Sequence, residues 1–528
     1  MKLTGLLFAA ALLGACTQPA AEENYTRHVD PKIGTGGHGH VFVGANVPFG
    51  LVQVGPTSIP QTWDWCSGYH ASDSTVIGFS HTHLSGTGIG DLFDVTVMPV
   101  TGDVTYARGT EDDPTSGLWS YADRTQEIAR PGYYSVPLTR YGIRAELTAT
   151  ARVGLHRYTF PASDAAAVVF DLENGGCWDK ATETHLAKEG DRTVTGWRHS
   201  TGWAKDQRVY FAAEFSKPFE KFETIGDNYA RASFRTTDGE QVSLKVALSP
   251  VSVEGARENL AAELPGWDFD ATAAAADKAW NDELSKVKIE TEDETSKRIF
   301  YTALYHTMIA PSLFCDVNGD YYGSDHAIHR NADFTNYTTF SLWDTYRAAM
   351  PLMTVLHPEK MADIVQTMLH ISDEQGRLPV WHLWGNETDC MVGNPGIVAV
   401  ADAIVKGIGG FDREKAFEAI RKTAMNPDRG NGLRMEYGYI PCEMFNEAVA
   451  YDMEYALADG AAARAAETLG KAEDAKYFEE RSHSYRNYFD PATRFMRGRD
   501  SKKGWRTPFN AFASTHRADD YCEGNAWQ

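Results

Sequence analysis

Cysteine is scarce in this chain: seven in 528 residues, with no C-x-x-C pair among them. That leaves a thiolate zinc site of the finger or ribbon type without support. Basic residues are outnumbered too, 50 Lys and Arg against 72 Asp and Glu, for a net charge of -22. Nucleic acid is disfavoured as a partner, since its phosphates need Lys and Arg, and a soluble protein with a neutral substrate is favoured. Past the first residues no apolar run is long enough to cross a bilayer. No internal repeat and no low-complexity segment stands out. Aromatic residues, by contrast, are plentiful: 13 Trp, 24 Tyr and 25 Phe. Planar apolar rings stack on sugars and also fill large cores, so their number alone does not choose between the two. At this length two or three domains are expected.

The N-terminus, Met1-Lys2 followed by an apolar run from Leu6 to Ala15, is too short to span a bilayer and reads as a secretory signal. Leu13-Gly14-Ala15-Cys16 resembles the lipobox of bacterial lipoproteins. Cys16 is therefore the expected lipidation site, with residues 17–24 as a tether. This predicts an exported protein of the outer membrane or periplasm, touching the membrane only through a lipid anchor. The plainer alternative is a periplasmic signal with an incidental cysteine. Disulfides among Cys66, Cys177, Cys315, Cys390, Cys442 and Cys522 are compatible with export but cannot be paired from sequence.

Two textures follow. Residues 25–255 carry short β-rich runs, such as Ala167-Val168-Val169-Phe170 and Val242 to Leu248, punctuated by Gly, Pro, Asn and Asp. Many short strands without intervening helices predict a sandwich. Residues 256–290 read as a helical linker. From 291 to 528 the period is helical: Met361, Ile364, Met368 and Ile371 recur at spacings of three and four. Gly470 reads as the C′ residue between two long helices. The expected fold is thus multidomain β plus α, a sandwich followed by an (α/α)6 toroid, with about seven helices where a closed ring takes about twelve.

Several clusters combine aromatics with polar groups. Trp63-Asp64-Trp65 sets two indoles at i and i+2, either a sugar platform or buried sandwich Trp. Gly78-Phe79-Ser80-His81-Thr82-His83 leads into a Gly-rich run; His-x-His alone is weak metal evidence, and no helix follows to make a phosphate loop. Trp343 and Asp344 sit at a helix start, and Trp384 with Glu387 forms a further cluster. Each has a structural alternative, a capped first turn or a buried polar network; together they favour a glycan-active protein. At the far end Tyr521-Cys522-Glu523-Gly524-Asn525-Ala526-Trp527-Gln528 sets a carboxylate among aromatics, as for a general acid whose charged form apolar neighbours disfavour. The last residues read as an opening helix, so the sequence is expected to be a fragment.

Asp30-Pro31-Lys32-Ile33-Gly34-Thr35, the segment from Gly78, Ser341-Leu342-Trp343-Asp344-Thr345-Tyr346-Arg347, Trp384-Gly385-Asn386-Glu387-Thr388-Asp389-Cys390 and Glu523-Gly524-Asn525-Ala526-Trp527-Gln528 resemble, in order, glycoside hydrolase family 92, the bacterial exo-α-mannosidases. The resemblance covers nearly everything after the signal. It implies a β-sandwich packed on an (α/α)6 toroid, inversion at the sugar, and a calcium ion contacting mannose, with metal ligands left unknown here. Glu523 matches the family's general acid. Trp63, Trp65, Trp343, Asp344, Trp384 and Glu387 match regions that line its sugar subsites. The family's general-base Asp falls about a hundred residues past the acid, so the resemblance implies that the base and much of the calcium shell lie beyond Gln528. Asn394-Pro395 stands where many members are expected to carry Tyr-His, which leaves the linkage open, α-1,2 or a related one. Two rivals remain: a non-catalytic glycan-binding lipoprotein, and another sandwich-plus-toroid glycosidase or phosphorylase.

Overall fold

The computed structural model describes residues 23–528 apart from 61, 114 and 516–518. The predicted signal and Cys16 lie outside the described residues. The β half is a sandwich. A six-stranded sheet has as its two central strands Thr96–Thr101 and Ser163–Asp171, and faces an eight-stranded sheet built around Gln207–Phe215, Glu240–Ser249 and Val153–Phe160. The run Ala166 to Phe170 is fully buried in the middle of the first sheet, which is why it reads as continuous apolar sequence and not as an alternation. Across the sandwich Phe170 stacks on Phe211 at 6.0 Å and meets the edge of Phe215 at 6.1 Å.

The loop carrying His81 and His83 is pinned inside this sandwich. Buried Arg198 donates to Asp94 at 2.7 Å and to Asp179, while Asp94 also accepts from Gln207 at 2.7 Å. Two carboxylates around one guanidinium satisfy one another in a place where either alone would be costly.

Helix Val253–Glu263, capped by Ser252 on the Gly255 N–H at 3.0 Å, packs Ala256 on Val153, Leu155 and Ala247 of the large sheet. Helix Phe269–Leu284 joins the two halves: Phe269 and Ala273 pack on that sheet, while Trp280 and Leu284, further along, enter the helical core. The segment expected to be a linker is thus packed along its length on both bodies.

From residue 294 onward, seven helices of eight residues or more are described, with two shorter ones. Met361, Ile364, Met368 and Ile371 are all buried in helix Pro358–Gln375, as their spacing requires. They share a core with Val400 and Ile404 of helix Pro395–Val405, Phe417 and Ile420 of Arg413–Ala424, and Ala462 and Ala466 of Ala448–Thr468. Gly470, at φ 73°, follows that last helix as anticipated. Between the halves, Asp206 and Asn386 exchange hydrogen bonds at 3.0 and 2.9 Å, and Trp203 meets Trp381 edge-on at 4.7 Å. The sandwich therefore buttresses the turn that carries Trp384.

Candidate active site

Two segments distant in sequence meet at one cleft of about 530 Å³ in the helical half, lined by Thr388 to Met391, Glu443 to Glu447 and Tyr451. The segment ending in Glu523 lies against it, since the Cys522 thiol is 3.7 Å from Met391 Sδ. Burial, and after it the Glu447 carboxylate, pushes that thiol up to about 12. Backbone bonds fix this approach: Glu447 N–H donates to Asp519 O at 2.7 Å and Ala450 N–H to Asp520 O at 3.1 Å. Asp520 is held in turn by Arg506 at 2.9 Å and by the Gly498 N–H at 3.0 Å.

The Trp384–Met391 turn is rigid because its own carboxylate is spent on it. Glu387 accepts from Val380, Trp381 and Asp389 N–H groups at 2.8–2.9 Å. Arg377 pairs with Asp389, and Arg429 donates to Gly393 O at 2.7 Å and to Met391 O. The Ser341–Arg347 segment is tied in through Glu454, which accepts from Tyr346 at 2.8 Å and Arg347 at 2.9 Å.

Left-handed backbone concentrates here. Asp389 (φ 54°), Met391 (72°), Glu447 (56°), Asp519 (59°) and Glu523 (50°) are all non-glycine residues in that region. Such conformations cost of order 1–3 kcal/mol each, persist only where surrounding structure dictates them, and gather at functional sites.

The expected site residues separate into three groups. Glu523 follows Cys522, which touches the cleft, and is exposed, not enclosed by aromatics; Trp527 packs instead on Phe495 at 5.1 Å and Phe512 at 5.9 Å. Trp343, half-buried with an unpartnered indole N–H, and exposed Asp344, bonded by Ser341, sit beside the Tyr346–Glu454 tie. Glu387 holds the turn and leaves no carboxylate oxygen without a backbone partner. Trp384 does not fit a sugar-stacking role: it is 2% exposed, packed edge-on against Phe314 at 5.1 Å, and its backbone N–H donates to Thr338 Oγ1 at 2.7 Å. Trp63 and Trp65 do not form one wall. Their segment is a short 3-10 turn, which sends Trp63 to His40 (4.5 Å) and the Gly88 carbonyl (3.1 Å), but Trp65 to His70 (4.5 Å) and Asp73 (3.1 Å). Only Trp63 keeps a large exposed face, at 49%.

His81 and His83 are core residues. His81 lies 2.9 Å from His156 and 2.6 Å from the Val95 carbonyl, and burial holds it down to about 3 and His83 down to about 4. Neither belongs to a metal-compatible cluster among the described residues. Sequence reasoning missed Asp389, Arg429, Glu447 and Glu454. Glu447 and Glu454 lie in residues 445–469, the first of the two long helices read on either side of Gly470, where a carboxylate looks like ordinary surface; no local signal marks them.

Residues 28–249 match the glycosyl hydrolase family 92 N-terminal domain and residues 255–528 its catalytic domain. A family 92 α-mannosidase from Bacteroides thetaiotaomicron, solved in complex with mannoimidazole, is 39% identical with a TM-score of 0.92, over 96% of this chain and 70% of that one. An inverting family 92 mannosidase from Bacteroides thetaiotaomicron VPI-5482 is 29% identical with a TM-score of 0.86, over 96% and 70%. A curated relative from Arthroderma benhamiae, an uncharacterized secreted glycosidase, is 26% identical over 91% of this chain. The chain spans 64% of that relative's length.

Proposed function

The chain belongs to glycosyl hydrolase family 92, and from that premise we propose that the whole protein is an exo-acting α-mannosidase that releases mannose from glycans with inversion. The observation that supports this is the contact of Cys522, the residue before Glu523, with Met391 at the edge of a cleft that Asp389, Glu443 and Glu447 line. Glu523 is the general acid, delivering its proton to the glycosidic oxygen as the bond to the leaving sugar breaks. Inversion takes a second carboxylate on the opposite face, about 6.5–9.5 Å from the acid, with room for water. The activity is proposed of the whole protein, since the chain spans 64% of its curated relative's length. Asp344 and Trp343 are the sugar-facing residues of the Ser341–Arg347 segment, and Trp63 is an outer sugar platform.

Calcium is part of the proposal. The cleft by itself offers a hard cation few oxygen donors, and one of its carboxylates, Asp389, is paired with Arg377, so most of a shell of six to eight oxygens is left to other groups. Glu447 and Asp389 are the residues here that would hold it. When bound, the ion supplies charge that helps hold a distorted ring on the way to an oxocarbenium-like transition state. Export is supported by the secreted curated relative, and no helix among the described residues is long and apolar enough to cross a membrane. Lipid attachment at Cys16 is our finer proposal.

The test is hydrolysis of α-linked mannobiosides by the whole protein, followed by NMR of the released anomer. Release of β-mannose supports the assignment. Mannan binding without turnover would favour the glycan-binding reading instead.

A further inference from the structure

Away from the cleft, three side chains converge on a point that the proposed reaction does not use. Asp325 and His329 belong to the hairpin formed by Tyr321–Tyr322 and Ile328–His329, and Glu374 is in the last turn of helix Pro358–Gln375. One ligand atom from each lies within 4.8 Å of the others. His329 Nε2 is 3.1 Å from Asp325 Oδ1 and 3.5 Å from Glu374 Oε1. Zinc bonds such donors at about 2.0–2.2 Å, so tetrahedral neighbours sit roughly 3.3 Å apart. The two separations bracket that spacing.

The donors are also held in place. The Ala327 N–H donates to Asp325 Oδ1 at 3.0 Å, the Ser324 N–H to Glu374 Oε2 at 2.7 Å, and the Tyr321 hydroxyl to Glu374 Oε1 at 2.9 Å. Tyr321 stacks flat on the His329 ring at 4.8 Å. Outer-shell contacts of this kind orient metal ligands. A separate observation concerns the space itself. A Cβ on Gly323 would lie 2.7 Å from both His329 Nε2 and Asp325 Oδ1. The room beside these donors exists only because residue 323 has no side chain.

We propose that Asp325, His329 and Glu374 bind a zinc-class divalent cation, with a remaining position left to water. An imidazole nitrogen with two carboxylate oxygens suits zinc and its neighbours, not calcium, which takes six to eight oxygens. The competing account is an ion pair between protonated His329 and the two carboxylates, which needs neither a fixed donor spacing nor an open space at Gly323. Bound there, the cation joins the hairpin to the end of the helix that leads into the Trp384 turn, where Tyr322 of the same hairpin already donates to Asp206 at 3.0 Å.

The test uses the full chain stripped with EDTA, titrated with Zn2+ by calorimetry and with Co2+ by visible spectroscopy. One equivalent of either ion is expected, with d–d absorption of tetrahedral intensity for Co2+. His329→Gln and Asp325→Asn should each weaken binding by more than about 100-fold, the upper end of what outer-shell changes alone cost. Gly323→Ala, which keeps all three donors, should do the same by filling the space. Far-UV circular dichroism identifies any variant that has unfolded. Absence of saturable binding, or binding undiminished in the folded variants, overturns the proposal. None of these readouts depends on glycosidase activity.

Discussion

Glu447 donates its backbone N–H to the Asp519 carbonyl at 2.7 Å, so a helix start and the approach to Glu523 are held on one side of the same cleft. The bond is possible because Glu447 is in the left-handed region, at φ 56°, and turns its N–H away from its own helix. Its side chain makes no capping bond to that helix. A buried carboxylate that does no helix work, in a conformation L-residues avoid, is placed there for the cleft.

This separates backbone from carboxylate experimentally. Left-handed geometry costs a non-glycine residue about 1–2 kcal/mol. Glu447→Gly removes both the strain and the carboxylate, while Glu447→Ala keeps the strain. Mannoside turnover is expected to fall at least tenfold in both variants, with thermal stability lower in the alanine variant than in the glycine one. Full activity in Glu447→Gly would remove the side chain from the site.

Glu523→Gln in the whole protein distinguishes an acid from a positioning residue. General acid catalysis contributes about 10²–10⁴-fold, and its loss matters only when the leaving group needs a proton. Turnover of a mannobioside should drop by that factor, while a dinitrophenyl α-mannoside should be largely spared. Equal losses on both substrates would sink the assignment. Because Glu523 is exposed, stability should change by less than about 0.5 kcal/mol.

The strands and the core faces of the long helices were legible because period and composition are local: Ala166 to Phe170 and Met361 to Ile371 are buried as their spacing demands. The cleft was legible only in part. Trp384 and Trp63 look alike in sequence, an indole within three residues of a carboxylate, yet one is core and the other surface. What separates them is a partner far along the chain, Phe314 for Trp384 and the Gly88 carbonyl for Trp63. Glu447 was invisible for the same reason, since its backbone partner, Asp519, belongs to another segment.

Those two tryptophans give opposite expectations. Trp384→Ala should cost about 3–5 kcal/mol in unfolding free energy through the cavity it leaves. Trp63→Ala, half-exposed, should cost under about 1 kcal/mol but raise KM for long glycans more than for mannobiosides. Urea midpoints and paired kinetics check both. A KM unchanged on every substrate would return Trp63 to ordinary surface.

Four buried histidines and the half-buried His306 set the acid limit of the fold. Burial holds His81 and His382 down to about 3, His83 and His306 to about 4, and His156 well below its ordinary value. Unfolded, each titrates near 6.5, so below that pH the unfolded chain binds protons that the native one refuses, and stability falls. Three buried carboxylates oppose this. Asp91, Asp171 and Asp316 are each raised by burial to about 6, so between their ordinary value of 3.8 and 6 the native state holds the extra proton. Histidine loss therefore begins first, near pH 6.5, and the carboxyls offset part of it as pH falls through 6. The urea midpoint should start to fall near pH 6.5 and keep falling toward pH 4. The same midpoint at pH 5 as at pH 7 would mean that the histidines are not buried neutral, and the packing of His81 on His156 would have to be revised.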